Sequence, residues 1–227
     1  MPPVEFVTHN FRLAREILEN RDPWGELIQV ARSMGADEIV QTHLSFGAGG
    51  KRLRAGGQAA VNHLFRERLG PLGWIQEPRL FSETGADLRK WKMDFIKARI
   101  GVEVSFNHFE AVPWTFTRLN IAGESEKVLE EHKIDVGVAF FATDSLKKWA
   151  KMDGTVGTFE MARAWLEMMR PIMPVPILVV GLSADDWAPS DAFRGTRKSH
   201  PGADQVAPAS GLGASELPPD PIDQTHD

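Results

Sequence analysis

The chain has 227 residues, a formal net charge of −5, a hydrophobic fraction of 42% and no cysteine. This length and hydrophobic fraction allow one sizeable domain with a buried core, or two small ones. The absence of cysteine excludes disulfides and thiolate zinc sites and is typical of a reducing compartment. Because no apolar run approaches the roughly 20 residues of a membrane span and the N-terminus lacks a signal-peptide pattern, we expect a cytoplasmic protein without membrane contact.

Positive charge is concentrated in the middle of the chain. Residues 51–99 contain eleven Lys or Arg and five Asp or Glu, although the chain as a whole is acidic. A local basic surface on an acidic protein can bind phosphate backbones. The charge distribution therefore keeps nucleic-acid binding open.

The N-terminal part of the chain predicts three helices. Asn10 is a candidate N-cap for the first of them. Asp22 and Pro23 are a typical start for the second, and Gly35 is a typical end. The third helix covers 59–69. The apolar spacing gives these helices core faces and implies no chemistry.

A glycine-rich segment, 45–57, precedes the third helix. It lacks the Ser or Thr after the lysine, and the earlier glycine, that a P-loop needs, so the sequence argues against a P-loop nucleotide hydrolase. We interpret it as a basic loop in which Lys51, Arg52 and Arg54 contact backbone phosphates and add affinity but little sequence information. The alternative is a solvated surface loop.

The stretch 93–107 predicts two short strands joined by a basic turn. In the second strand Glu103, Ser105 and Asn107 alternate with apolar residues and therefore share one face. Asp94 is likewise a polar residue between apolar neighbours. If the strands pair, the two carboxylates can converge, and Mg²⁺ is held in proteins by one or two carboxylates with carbonyl, water and phosphate oxygens. The alternative is a hairpin with one wetted face.

The C-terminal half alternates helices and strands. A helix is predicted around 124–131, buried strands at 134–141 and 176–182, and a helix capped by Thr158 between them. This order predicts an α/β fold with a sheet flanked by helices.

The composition changes near residue 190. Residues 190–227 are rich in Pro, Gly, Ser and Asp and contain few large apolar side chains. Such a segment cannot bury enough surface to offset its chain entropy. We therefore predict one domain over 1–189 and a disordered tail over 190–227.

The order of these elements resembles a known family. Asp94-Phe95 followed by 102–107 looks like the catalytic hairpin of the BglII/BstYI group of type II restriction endonucleases, within the PD-(D/E)xK nuclease superfamily. Further stretches that look like the group are 14–24, 62–74 and 135–182. The resemblance implies a restriction-endonuclease-like core with a central mixed sheet flanked by helices.

The resemblance also implies a prokaryotic homodimer that cuts double-stranded DNA at a short palindromic site with Mg²⁺. It implies Asp94 and Glu103 as metal ligands, the carbonyl of Val104 as a third ligand, and a catalytic role for position 105. Most of the superfamily has Lys at that position and this group has Gln, whereas this chain has Ser105, which carries no charge. Lys97, in the neighbouring turn, is the candidate to supply the positive charge and to contact DNA.

Specificity in this group comes from the segment after the catalytic strand and from a loop before the late helix. On this chain the implied base-reading residues are Asn107, His108, Thr155 and Thr158. Members of the group recognise GATC-centred hexamers. Because the loop differs in composition here, the resemblance does not transfer the recognised sequence.

Two alternatives to a cleaving enzyme stay open from the sequence. The serine at position 105 favours a sequence-specific DNA-binding relative that does not cleave. The pair of carboxylates alone is also compatible with an unrelated α/β metal-dependent hydrolase or interaction domain acting on something other than DNA. Affinity for duplex DNA at low salt, where phosphate contacts are strongest, separates this last alternative from the others.

Overall fold

Six strands form one mixed sheet in the computed structural model, which describes residues 4–82 and 90–195. The strands are β1 (Glu5–Phe11), β2 (Ile75–Gln76), β3 (Phe95–Lys97), β4 (Ile100–Val104), β5 (Val136–Ala142) and β6 (Ile177–Ser183). Their order across the sheet is β1-β6-β5-β4-β3-β2. The strands β4, β5 and β6 are parallel, whereas β1, β2 and β3 pair in antiparallel fashion with their neighbours. The predicted α/β class is confirmed.

Helices cover both faces of the sheet. They are α1 (Ala14–Leu18), α2 (Asp22–Arg32), α3 (Ala36–Ser45), α4 (Gln58–Leu69), α5 (Val112–Glu124), α6 (Asp144–Trp149) and α7 (Phe159–Met168). Side chains of α1 to α4 and of α6 pack on one face, and those of α5 and α7 pack on the other. None of the helices in the described part of the chain has the length and apolar character needed to span a membrane.

The parallel strands occupy the centre of the sheet because of their composition. Every residue of β5 and β6 is buried. Both strands are nearly continuous apolar runs, which suits a sheet that is covered on both faces. The helix α5 connects β4 to β5, and α6 and α7 connect β5 to β6. The predicted strand–helix–strand arrangement is therefore present.

The N-terminal segment differs from its prediction. Residues 5–11 form an edge strand that pairs with β6 along its whole length. Asn10 therefore lies in a strand, and its Oδ1 accepts a hydrogen bond of 2.9 Å from the N–H of Arg15. The helix α1 begins only at Ala14, after two residues with positive φ. The predicted start of the helix was wrong, because pairing with a strand so distant along the chain leaves no trace in a local pattern. The side chain of Asn10 nevertheless accepts an N–H from the first turn of α1, as an N-cap would.

The helix predicted around 124–131 also lies elsewhere. It is α5, which runs from Val112 to Glu124 and carries Pro113 in its first turn, where a missing N–H costs nothing. Residues 130–132 form only a short 3₁₀ turn. The position of α5 matters because this helix covers the face of β4 that carries the polar residues of the sequence pattern.

The predicted hairpin is β3 and β4. Phe95 lies opposite Val102. The two residues of the turn, Ala98 and Arg99, have φ values of 46° and 61°, as a two-residue type I′ turn requires. The backbone of Arg99 accepts a 2.8 Å hydrogen bond from the N–H of Asp135, and its Nε donates to the Asp135 carboxylate at 2.7 Å. These bonds anchor the turn beside the start of β5.

The first residues of the predicted tail pack on the domain. Phe193 is fully buried, and its ring centroid lies 5.0 Å from that of His43 and 4.9 Å from that of Trp149. Its carbonyl accepts a 3.1 Å hydrogen bond from the N–H of Gly56. Residues 196–227 of the predicted tail lie outside the described residues, and their disorder stays a prediction.

Candidate active site

Asp94 and Glu103 line one cavity of about 170 Å³ at the end of β4. Asp94 directly precedes β3, and Glu103 is the last but one residue of β4, so the hairpin brings both carboxylates to the same place. Polar side chains of α4 and α5 complete the cavity from the two faces of the sheet. Besides the two carboxylates, the polar lining residues are Asn62, Arg66, Asn107 and Arg118.

Asp94 takes the place of a strand partner for Val104. The strand β3 begins at Phe95, so no β3 backbone group faces the last residue of β4. The N–H of Val104 instead donates a 2.7 Å hydrogen bond to Oδ2 of Asp94. Burial raises the pKa of the Asp94 carboxyl above its usual value, and the bond from Val104 only partly offsets this.

Glu103 is buried, with 2% of its surface exposed, and it is held by Arg118 of α5. The guanidinium donates from Nε to Oε1 at 2.9 Å and from Nη2 to Oε2 at 2.5 Å. Burial raises the pKa of Glu103 to about 7, and the nearby charge of Asp94 adds to the rise, while Arg118 opposes it. Glu103 therefore releases its proton near neutral pH.

Oxygen donors of this kind suit Mg²⁺. The N–H of Val104 points at Asp94, and a strand residue points its N–H and C=O to the same side, so the Val104 carbonyl faces the same edge. Among the described residues no three His, Cys, Asp or Glu side chains cluster as a metal-binding group. The available set is two carboxylates and one carbonyl beside a small polar cavity, which fits a cation that keeps several waters.

Ser105 lies behind the cavity and is not one of its lining residues. Only 3% of its surface is exposed, and its Oγ accepts a 3.2 Å hydrogen bond from the hydroxyl of Thr115 in α5. The alternation predicted for β4 holds, because Glu103 and Ser105 both face α5. Ser105 is nevertheless buried against α5 and does not line the cavity, so its predicted catalytic role is not supported by its position and stays a prediction.

Lys97 is also held away from the cavity. Its Nζ donates to both carboxylate oxygens of Glu26, at 2.8 and 2.6 Å, and to the carbonyl of Leu72 at 2.7 Å. It points along β3 towards α2, so it does not supply the charge that Ser105 lacks. The positive charge beside Glu103 comes from Arg118, which the sequence pattern did not single out.

The predicted base-reading segments meet at the surface next to the cavity. The carbonyl of Asn107 accepts from the N–H of Gly157 at 2.9 Å, and the N–H of Phe109 donates to the carbonyl of Thr155 at 2.7 Å. Nδ1 of His108 lies 3.0 Å from the Thr155 hydroxyl. The exposed residues of these segments lie side by side and form a polar surface. We call it the recognition surface; it is made by Asn107, His108 and the exposed residues 153–155 of the 153–157 loop.

Thr158 is not part of the recognition surface. It is 1% exposed and forms a bridge with Ala142 at the end of β5. Thr158 is the N-cap residue of α7, as predicted, but its hydroxyl has no hydrogen-bond partner among the described residues and makes no capping bond. Because Thr158 is buried beside the end of β5, its position does not support the predicted DNA contact, which stays a prediction.

Lys51, Arg52 and Arg54 lie in an irregular exposed segment before α4. Arg52 and Arg54 line a second cavity, which shares Asn62 with the first. Their positions are compatible with the predicted backbone contacts.

Three cavity residues were not identified from the sequence. Asn62 and Arg66 are one turn apart on α4, so a polar pair on a predicted helix was an available signal. Arg118 carried no such signal, because the predicted limits of α5 were wrong.

The fold and the cavity together define a class. A mixed sheet whose hairpin brings two carboxylates together between two helix layers is the core of restriction-endonuclease-like proteins. The family model described as restriction endonuclease BglII/BglIII matches residues 6–182 of the chain. The chain belongs to this family, and the resemblance seen in its sequence is confirmed.

A solved structure gives the same architecture. The crystal structure of restriction endonuclease BglII complexed with a DNA 16-mer is similar with a TM-score of 0.59 and 19% identity, over 80% of this chain and 77% of that chain. At this identity the likeness shows a shared fold. The structure of free BglII is similar with a TM-score of 0.48 and 17% identity, over 80% of both chains. We found no match to the chain among curated proteins.

Proposed function

We propose that the chain is a type II restriction endonuclease that hydrolyses phosphodiester bonds of double-stranded DNA at a short palindromic site with Mg²⁺ as cofactor. One observation carries the proposal: Asp94, Glu103 and the Val104 backbone meet at a single polar cavity beside the recognition surface. Membership of the BglII/BglIII family supports the same reading.

In this proposal Asp94, Glu103 and the Val104 carbonyl hold the metal ion. When bound, Mg²⁺ lowers the pKa of a water molecule and stabilises charge on the scissile phosphate. To hold the metal, Glu103 would have to share its two carboxylate oxygens, both of which now accept hydrogen bonds from Arg118. The guanidinium that becomes free lies in the same cavity, where it donates to phosphate oxygens.

The remaining lining residues position the strand that is cut. Arg66 presents a second guanidinium from α4, and Asn62 presents an amide one turn earlier. Ser105 and Thr115 act through packing: their hydrogen bond fixes α5 against β4 one turn away from Arg118. We therefore assign Ser105 a positioning role and Arg118 the role of the catalytic cation.

The recognition surface faces the bases in this proposal. The Thr155 hydroxyl donates to the carboxylate of Asp153 at 2.6 Å, so its oxygen accepts from Nδ1–H of His108. In the neutral ring this leaves Nε2 of His108 as an acceptor. An acceptor in the major groove pairs with the amino group of adenine or cytosine. Lys51, Arg52 and Arg54 contact the backbone and add affinity without sequence information.

A palindromic site requires two copies of the recognition surface, so we propose a homodimer. The helix α7 carries exposed apolar side chains at helical spacing, Met161, Trp165 and Met168. Such a contiguous apolar stripe on a polar protein marks an interaction surface. A two-fold interface would bury it against the same stripe of a second copy.

The test is digestion of a plasmid of known sequence by purified protein with Mg²⁺, followed by mapping of the ends. We expect discrete bands, loss of cleavage by at least about a hundredfold in Asp94→Asn and Glu103→Gln, and no change in Glu126→Gln, which replaces an exposed glutamate. Smeared products, or cleavage that survives both active-site substitutions, would count against the proposal.

A non-cleaving DNA-binding relative is the second candidate. The bidentate contact of Arg118 with Glu103 occupies a proposed metal ligand, and Ser105 provides no charge. This candidate predicts site-specific gel shifts without nicking, even with Mn²⁺. Any nicking that depends on Glu103 eliminates it.

A further inference from the structure

A second cavity, of about 370 Å³, adjoins the active-site cavity at Asn62, which lines both. It lies between the end of α3, the basic segment 51–57 and the N-terminus of α4. Arg52 and Arg54 line it, and no Asp or Glu is among its described lining residues. The cavity is therefore biased towards an anionic ligand.

His43 of α3 lines this cavity and lacks a partner. Only 2% of its surface is exposed, and neither ring nitrogen has a hydrogen-bond partner among the described residues. Burial lowers the pKa of His43, so the ring is neutral near neutral pH and carries one N–H donor. A buried polar ring without a partner costs free energy, and this cost is removed when a ligand accepts the N–H.

The N-terminus of α4 supplies further donors. The N–H of Gly57 donates to the carbonyl of Ala150, but those of Gln58 and Ala59 have no acceptor within the described part of the chain, and no side chain caps the helix. The first N–H groups of a helix and its dipole favour a negative charge. Gln58 and Ala59 both line the cavity.

We propose that this cavity is a phosphate-binding site, filled either by a phosphodiester of a nucleic-acid strand or by inorganic phosphate. Arg52 and Arg54 neutralise the charge, and the α4 N-terminus donates N–H groups. His43 donates one N–H after its ring turns towards the cavity, because both ring nitrogens are buried in this structure. The amide of Gln58 has a buried Oε1 without a partner. A rotation of the amide by about 180° places its N–H₂ group where Oε1 now lies. The site does not require that the chain cleaves DNA.

The site is tested by NMR on the full-length protein without metal or DNA. Inorganic phosphate is titrated at constant ionic strength, and the assigned ring signals of His43 are followed. We expect a saturable shift of these signals, and an apparent Kd about tenfold or more higher in Arg52→Gln/Arg54→Gln. The matched control is Lys127→Gln/Arg163→Gln, which removes two exposed cations elsewhere and should leave the Kd unchanged.

Two results would overturn the proposal: a His43 signal that does not respond to phosphate, or a response that is unchanged in Arg52→Gln/Arg54→Gln. A second titration uses duplex DNA in EDTA at low salt. If the duplex shifts the His43 signal and abolishes its response to phosphate, the ligand is a backbone phosphodiester. If the duplex binds and leaves the phosphate response intact, the ligand is inorganic phosphate. A duplex that does not bind contradicts the proposed endonuclease, and the phosphate titration still decides this site.

Discussion

Arg118 and Glu103 form a bidentate ion pair across the interface between α5 and β4. The Glu103 side chain is buried, whereas 26% of the Arg118 side chain is exposed. The pair therefore links the position of a surface helix to a proposed metal ligand in the centre of the sheet. Its strength decides how readily Glu103 can be shared with a cation.

The first prediction concerns the strength of this pair. At about pH 8, where Glu103 is ionised beside Arg118, Arg118→Met forces the buried carboxylate either to lose its cation or to bind a proton, which costs up to roughly 3 kcal/mol of unfolding free energy. The double variant Glu103→Gln/Arg118→Met should lose less than the sum of the two single variants. Urea unfolding in EDTA of the four proteins gives the coupling. A coupling near zero would show that the pair is not held in solution.

The second prediction is the pH dependence caused by Glu103. Its pKa of about 7 in the folded chain lies above its ordinary value of 4.5. The folded state therefore binds a proton that the unfolded state has released, so this group's contribution to stability falls as the pH rises from about 5 to about 7. We expect Glu103→Gln to gain about 1 to 3 kcal/mol relative to the wild type over this range.

Urea unfolding at several pH values in EDTA measures this difference. Glu126→Gln, which changes an exposed carboxylate, is the control and should follow the wild type at every pH. A constant gap between Glu103→Gln and the wild type would mean that Glu103 is ionised throughout.

The third prediction concerns the recognition surface. Thr155→Val removes the hydroxyl that fixes the ring of His108, whereas Thr155→Ser keeps it. We expect Thr155→Val and His108→Ala to weaken discrimination at one base pair by about 1 to 3 kcal/mol. Cleavage of substrates with single base changes measures this, and that base should be adenine or cytosine. Equal behaviour of the Val and Ser variants would contradict the assigned role.

The fourth prediction tests the dimer. Trp165→Glu/Met168→Glu places two charges on the apolar stripe of α7, and we expect it to shift the protein from twice the 25.2 kDa chain mass to the single chain mass. Leu44→Glu changes another exposed apolar residue, on α3, and should stay dimeric. Sedimentation velocity distinguishes the two states. A wild-type protein that sediments as a single chain would contradict the proposed homodimer.

The sequence predicted those features that depend on local periodicity. The continuous apolar runs predicted the strands β5 and β6. The alternation of apolar and polar residues in β4 predicted that Glu103 and Ser105 share one face. The edge strand β1 was not predicted, because its partner β6 is distant along the chain. Arg118 was not predicted for a related reason, because the packing of α5 on β4 is known only from the folded structure. The first turn of α5 also contains a Pro, which could equally indicate a loop.

Distance along the chain also limited the prediction of the site. Spacing identified Asp94 and Glu103, since a hairpin joins neighbouring residues. It could not show that Lys97 is held by Glu26 of a distant helix, or that Thr158 is buried beside Ala142 at the end of β5. Both depend on contacts between segments that are far apart in sequence.

The turn at Ala98 and Arg99 has a consequence for engineering. Asp94 accepts the hydrogen bond from the N–H of Val104 only in the present register of the hairpin. One residue inserted in the turn would therefore move Asp94 away from Glu103 and Val104, while the parallel strands keep their contacts. The 153–157 loop, by contrast, is attached to the sheet outside that register. Exchanging this loop between homologues should alter which DNA is chosen and spare the chemistry, whereas the hairpin has to be transplanted whole.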